Sequence, residues 1–132
     1  MNILDALWYA EKVNNYEIDA TGATALWPDT THYHAECPAG KRWFLIGGNV
    51  KRNVSSTVLV EGFDRNDKVI YIFCQHAAGT TRVAFPSRAI TAVDGQFGQY
   101  PIFDEGEYLQ VLFGTAQDAG SDGSCVVLEI DV

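Results

Sequence analysis

The stretch "STVLVEGFDRNDKVIYIFCQ", residues 56–75, decides the fold. Two runs rich in β-branched and aromatic residues flank the polar tetrad "DRND" at 64–67, and four turn-forming residues between two such runs predict a β-hairpin. Outward from this hairpin, beyond Pro38, short apolar runs recur and are punctuated by Gly, Asn, Asp and Pro at intervals of about ten residues, the pattern of an antiparallel sandwich or barrel. Strands are expected near 41–52, 56–63, 68–77, 81–85, 89–93, 107–115 and 125–132. The last of these, "CVVLEIDV", alternates: Val126, Leu128, Ile130 and Val132 fall on one face and Glu129 and Asp131 on the other, which predicts one packed face and one wet face.

Two strands break the simple pattern. In 68–77, Ile70 and Ile72 face one way while Val69, Tyr71 and Phe73 face the other, so both faces are apolar and cover is expected on both sides, from an N-terminal helix or a neighbouring subunit. Gly47 and Gly48 lie inside an apolar strand with no helix pattern and no P-loop lysine after them, which predicts a bulge or a tight crossing and not a phosphate cradle.

Residues 1–37 read differently. "MNILDALWYAEKVN", residues 1–14, sets Ile3, Leu4, Leu7 and Trp8 on one side of a short helix, with Asn2 as cap and Asn14 as stop. "YEIDATGATALWP", residues 16–28, reads as an extended arm closed by Trp27 and Pro28. The expected organisation is a helix and arm over 1–37 and a β-sandwich over 38–132. Large rings in a thin arm have little of their own domain to pack against, so Ile3, Leu4, Leu7, Trp8 and Trp27 are the residues expected to meet a partner.

Composition narrows the function classes. Of 132 residues, 9 are Lys or Arg and 17 are Asp or Glu, a net charge of −8 that repels phosphate backbones and anionic membranes. Residues 1–20 carry acids among their apolar positions, unlike a secretion signal, and no apolar run approaches the roughly 20 residues that span a bilayer. The three cysteines, Cys37, Cys74 and Cys125, are an odd set without C-x-x-C spacing, which suits neither a disulfide framework nor a thiolate zinc site and points to a reduced, cytoplasmic assembly environment.

Four constellations bear on chemistry. On a strand, His32, His34 and Glu36 share one face, and two imidazoles so spaced can chelate a transition metal. "HYHAE" at 32–36 resembles the first motif of the cupin family, but only Ala35 separates His34 from Glu36, and His76 in "CQHAAG" lacks the proline and glycine of the second motif. Cys74 and His76 stand at i, i+2 without a third, orienting group, and a buried cysteine serving as a small hydrophobe is the commoner arrangement. In "FDEGEY", Asp104, Glu105 and Glu107 offer carboxylates to a hard cation, or simply solvate a turn whose glycine supplies a positive φ. "QDAGSDGS" at 117–124 lacks the alternating acids and closing glutamate of a calcium loop and reads as a hairpin tip. The aromatics outside the β body would also suit a sugar platform, whereas Trp43 is expected in the core.

The segments "CPAGKRWFLIGGNVKR", "SSTVLVEGFDRNDKVIYIF" and "FDEGEYLQVLFG…AQDAGSDGSCVVLEIDV", spanning 37–132, resemble the β-sandwich structural proteins of tailed-phage virions: head-decoration, minor capsid and fibre-associated modules. In those proteins a "P-A-G-K-x-W" turn leads the first strand of a jelly-roll-like sandwich, and a "D-E-G-E-Y-L-x-V" segment, a loop and a terminal strand close it. The resemblance implies an all-β, jelly-roll-like antiparallel sandwich and a non-enzymatic virion component without cofactor, catalytic residue or metal. Its expected partners are copies of itself and other virion proteins, joined by adhesion through Ile3, Leu4, Leu7, Trp8 and Trp27. Two rivals remain open: a cupin-like metal protein using His32 and His34, and a carbohydrate-binding module.

Overall fold

In the computed structural model the described residues are 12–19, 25–26, 36–86, 91–92 and 101–132. Among them, every regular element is a strand: β1 Lys12–Asp19, β2 Ala25–Leu26, β3 Lys41–Lys51, β4 Ser56–Phe63, β5 Val69–Gly79, β6 Val83–Phe85, β7 Thr91–Ala92, β8 Ile102–Asp104, β9 Tyr108–Phe113 and β10 Asp122–Asp131. They form two antiparallel sheets. The first runs β1-β10-β3-β6, with β8 also paired to β3, and the second runs β2-β9-β4-β5-β7.

The hairpin at 56–75 forms as the sequence predicts, with β4 antiparallel to β5. Its turn is held by Asp64, whose Oδ1 accepts the N–H groups of Asn66 at 2.8 Å and Lys68 at 3.0 Å, a short polar side chain standing in for a backbone acceptor. Asp67 takes the left-handed conformation, φ 62°, that closes the reversal.

Gly47 and Gly48 mark both features expected of them. The β3–β10 ladder shifts register between Val126 and Val127, whose partners are Gly47 and Leu45, so Ile46 is the extra residue of a bulge. A Cβ on Gly48 would collide with the Phe85 ring and the Ser124 carbonyl oxygen, so β6 can cross this close only over a glycine.

The main core lies between the sheets and is built by period-two alternation. Trp43, Leu45, Val50, Cys125 and Val127 come from the first sheet, and Val58, Val60, Phe73, Leu109, Val111 and Phe113 from the second. Trp43 is buried there, as its place in the sequence suggested. Phe103 joins them from β8, edge-on to the Tyr71 ring at 5.8 Å.

Three expectations change. The helix over 1–14 lies outside the described residues except at its end, where Lys12, Val13 and Asn14 belong to β1 and are paired with Glu129, Leu128 and Val127 of β10. Part of the segment read as an arm is therefore an edge strand of the first sheet. In β10 the packed and wet faces are not divided as the alternation suggested. Glu129 points into the sandwich beside Val127 and accepts the Trp43 indole N–H at 2.9 Å, whereas Leu128 and Ile130 lie on the outward face, buried with Phe44 in a second apolar cluster. Finally, β5 is not covered on both sides throughout. Register shifts along the β4 pairing put Phe73 and Cys74, neighbours in sequence, both in the core, and Ile72 emerges 39 % exposed.

Candidate interaction surface

Ile3, Leu4, Leu7, Trp8 and Trp27, the residues singled out for partner contact, lie outside the described residues, as do His32 and His34. Among the described residues no group of three or more His, Cys, Asp or Glu side chains is placed to hold a metal ion. His76 is exposed, with its Nδ1 3.4 Å from Nη2 of Arg52, while Cys74 turns into the core opposite Val60. The two residues pair with Val58 and Val60 in unbroken register, and the imidazole Nδ1 lies beside the Arg52 guanidinium and the Ala77 carbonyl, with no third group among the described residues to orient a thiol–imidazole pair.

The thiols are inert by position. Cys37, Cys74 and Cys125 are free and buried. Burial pushes the Cys125 thiol up to about 12, and burial followed by the nearby charges of Asp104 and Glu129 does the same to Cys37. Neither presents thiolate at neutral pH, and the thiolate is the nucleophile.

The acidic turn serves as scaffold. Glu107 Oε1 accepts the Asp104 N–H at 2.7 Å, Glu105 Oε2 accepts the Gly40 N–H at 3.2 Å, and Asp104 pairs with Arg42 at 2.7 Å. Gly106 adopts the positive φ, 79°, that the turn was expected to need. The carboxylates thus diverge to three separate partners, where a cation would need them converging on one point. Burial raises the Glu107 carboxyl above its usual range. Tyr108 stacks on Phe63 at 5.0 Å and donates its hydroxyl to Asp67 at 2.7 Å; burial, then that carboxylate, raise it to about 12.

The loop at 117–124 is likewise tied down. Gln117 Oε1 accepts the N–H groups of Asn53 at 3.1 Å and Val54 at 3.2 Å, and Asn53 Nδ2 donates to Asp118 at 2.7 Å. The segment read from sequence as a hairpin tip is fastened to the turn after β3.

Sequence reasoning missed Arg52. It is 1 % exposed, and its guanidinium donates four hydrogen bonds. Nε donates to the Thr81 carbonyl at 3.0 Å, Nη1 to the carbonyls of Ser56 at 2.6 Å and Ala77 at 2.8 Å, and Nη2 to Thr81 Oγ1 at 3.0 Å, with His76 Nδ1 as its second neighbour. This fork fastens the ends of β3, β4 and β5. No motif marks it, because its acceptors are mostly backbone carbonyls, which any sequence supplies.

The outward face of the second sheet carries a half-buried apolar patch. Alternate to the core residues of β4 and β9 stand Leu59, Glu61, Phe63, Tyr108, Gln110 and Leu112, all half-buried. Leu59 is paired with Leu112, and Glu61 with Gln110 on one side and Ile72 on the other. Apolar neighbours desolvate Glu61, and burial raises its carboxyl above the usual range. Exposed Ile72 completes the patch.

No protein-family model matches the chain, and no curated protein matches it. Among solved structures it is similar to a chain of the T=1 particles derived from infectious bursal virus, at 12 % identity and a TM-score of 0.37, with 93 % of this chain and 32 % of that one covered. It is similar also to VP2 of the infectious bursal disease virus subviral particle, at 11 % identity and a TM-score of 0.34, covering 93 % of this chain and 33 % of the other. FlgD from P. aeruginosa is a third such structure, at 17 % identity and a TM-score of 0.29, with 93 % and 79 % covered. The chain spans about a third of the length of the virus-particle chains it matches.

Proposed function

We propose that the chain is a non-enzymatic structural protein of a virus particle, a capsid decoration or minor virion protein of a bacteriophage, acting by association with its own copies and with a neighbouring virion protein. The observation that carries this reading is the meeting of the two motifs that resemble phage sandwich proteins. Cys37, ahead of "PAGKRW", donates its N–H to the Glu107 carbonyl and accepts the Gly106 N–H, both at 2.9 Å, so this turn and "DEGEYLQV" build one end of the sandwich together. The terminal strand returns to the same place, where the Val132 N–H reaches the Gly40 carbonyl at 3.1 Å and Asp131 pairs with Lys41. The polar groups of these motifs hold backbone in place, which suits a subunit whose work is adhesion.

The surface offered to a neighbour is the outward face of the second sheet, with Ile72 at its exposed margin. Light scattering over a range of protein concentrations tests this role. Mass above that of one chain, lost in Ile72→Asp while the unfolding midpoint is unchanged, is the expected result. A single-chain mass at every concentration overturns it.

A further inference from the structure

Three strands set out the outward face of the second sheet. On β4, Val58 and Val60 belong to the core, so Leu59, Glu61 and Phe63 point outward; on β9, Leu109 and Val111 belong to the core, so Tyr108, Gln110 and Leu112 point outward. The registered partners on β5 continue two of these rows: Ile72, 39 % exposed, stands opposite Glu61, and exposed Gln75 opposite Leu59. The face therefore reads in three rows: Phe63 with Tyr108, then Ile72, Glu61 and Gln110, then Gln75, Leu59 and Leu112. Glu61 stands in the middle.

A carboxylate is a costly group in that place. Leu59 and Phe63 flank it along its own strand, Ile72 lies across from it on β5 and Gln110 on β9, and burial raises its carboxyl above the usual range. The titratable neighbour on β9 is Tyr108, one row away, whose hydroxyl is held up at about 12 by burial and then by its hydrogen bond to Asp67, so it stays neutral near physiological pH. Beyond Tyr108 lie two acids, Asp67 on its hydroxyl and Glu36 bridged to its backbone. From β7, Thr91 is paired with Ile72 at the far end of the middle row. Of the eight positions in the three rows, the one whose charge changes on acidification is Glu61.

A second copy of the chain brings the same face to a two-fold contact, so each group meets a surface of its own kind. Apolar residues then meet apolar residues. The Gln75 and Gln110 amides carry both donors and acceptors and can satisfy their own copies, and a protonated Glu61 joins that set because it donates as well as accepts. Ionised, it offers acceptors only, to a surface that carries a second carboxylate. The contact is also small. Three strands span two spacings, roughly 10 Å, and the patch falls well short of the roughly 800 Å² per partner of a stable interface, so a single desolvated charge weighs heavily in it.

We infer that two copies of the chain meet through the outward faces of their second sheets and that Glu61 takes up a proton as they do, so that copies join as the pH falls and part as it rises. The inference rests on the functional reading above, in which this face is offered for adhesion, and names its occupant and its control. Docking desolvates the carboxyl further than in the single chain. Association is therefore fullest at pH below the single-chain value and is lost as pH rises through the value in the contact. The loss is roughly tenfold in the association constant per carboxyl for each pH unit that separates the two values.

Sedimentation equilibrium of the full-length chain and of Glu61→Gln, at about pH 5.5 and about pH 8, tests this. The wild-type chain is expected to associate at least about tenfold more tightly at the lower pH. Glu61→Gln should change far less between the two and, at the higher pH, should associate more tightly than wild type. Whatever else titrates is common to both chains, so the difference between them isolates Glu61. Equal pH dependence in the two chains overturns the inference and leaves the functional reading standing, as does a Glu61→Gln chain that associates no more tightly than wild type at the higher pH. A single-chain mass for both, at both pH values and every concentration, overturns the functional reading and the inference with it.

Discussion

The outward faces of the two sheets both carry apolar residues, and they differ in how far these are buried. On the first sheet Phe44, Leu128 and Ile130 are buried and only Ile46, at the β3 bulge, and the terminal Val132 stand exposed among the described large apolar residues, whereas on the second Leu59, Phe63 and Leu112 are half-buried and Ile72 is 39 % exposed. Apolar area removed from water stabilises by roughly 25 cal/mol per Å², so the buried face contributes more to the stability of the chain than the half-buried one. Under the proposed function the two surfaces divide the labour: the buried one serves the stability of the chain, and the half-buried one is the surface offered for adhesion.

The sharpest way to break the contrast is to truncate a residue on the sealed face. Phe44→Ala should cost about 3–5 kcal/mol, read as a lower urea midpoint, because it removes a fully buried ring. A cost below about 1 kcal/mol would mean that the face is wet. Arg52→Met, at the sandwich end and on neither face, should cost on the order of 3 kcal/mol by stripping donors from buried carbonyls, while leaving the association of copies unchanged in light scattering. On the open face Ile72→Ala should cost less than about 1 kcal/mol in the isolated subunit, yet weaken self-association.

The smallest effect belongs to Glu61, whose carboxyl is raised by burial. A carboxyl raised in the folded state favours the protonated form, so its contribution is present below the unfolded value and is lost as pH rises through the folded value. Near neutral pH the ionised group opposes folding. Glu61→Gln should therefore raise the urea midpoint slightly at neutral pH and leave it unchanged in acid below the ordinary carboxylate range.

Much of the sandwich was legible because local chemistry and global fold agree there. Asp64 and Asp67 turn the β4–β5 hairpin, the glycine pair bends β3, and Gly106 turns the strand into β9. The alternation of "CVVLEIDV" revealed that β10 has two unlike faces but not which one looks inward. The inner set is the one with the carboxylate, tolerated because the Trp43 indole donates to Glu129, and the wholly apolar set is outside, with Leu128 and Ile130 buried. The pairings of β1 and β8 were hidden for another reason. "KVNNYEID" is too polar to announce a strand, and its place is set by the edge of β10, a long-range partner. "IFD" at 102–104 is three residues long and gains its identity from β3 alone. Arg52 was invisible since carbonyl acceptors leave no trace in residue type, and the bulge that puts neighbouring Phe73 and Cys74 both in the core depends on the β4 register.

The difference between the two faces can be measured directly by the broadening of methyl resonances in the presence of a soluble paramagnetic agent. The account predicts that the Leu128 and Ile130 methyls are protected to the same degree as Val60 and Val111 of the inner core, while the Ile72 methyls broaden strongly. Equal broadening of Leu128, Ile130 and Ile72 would contradict it.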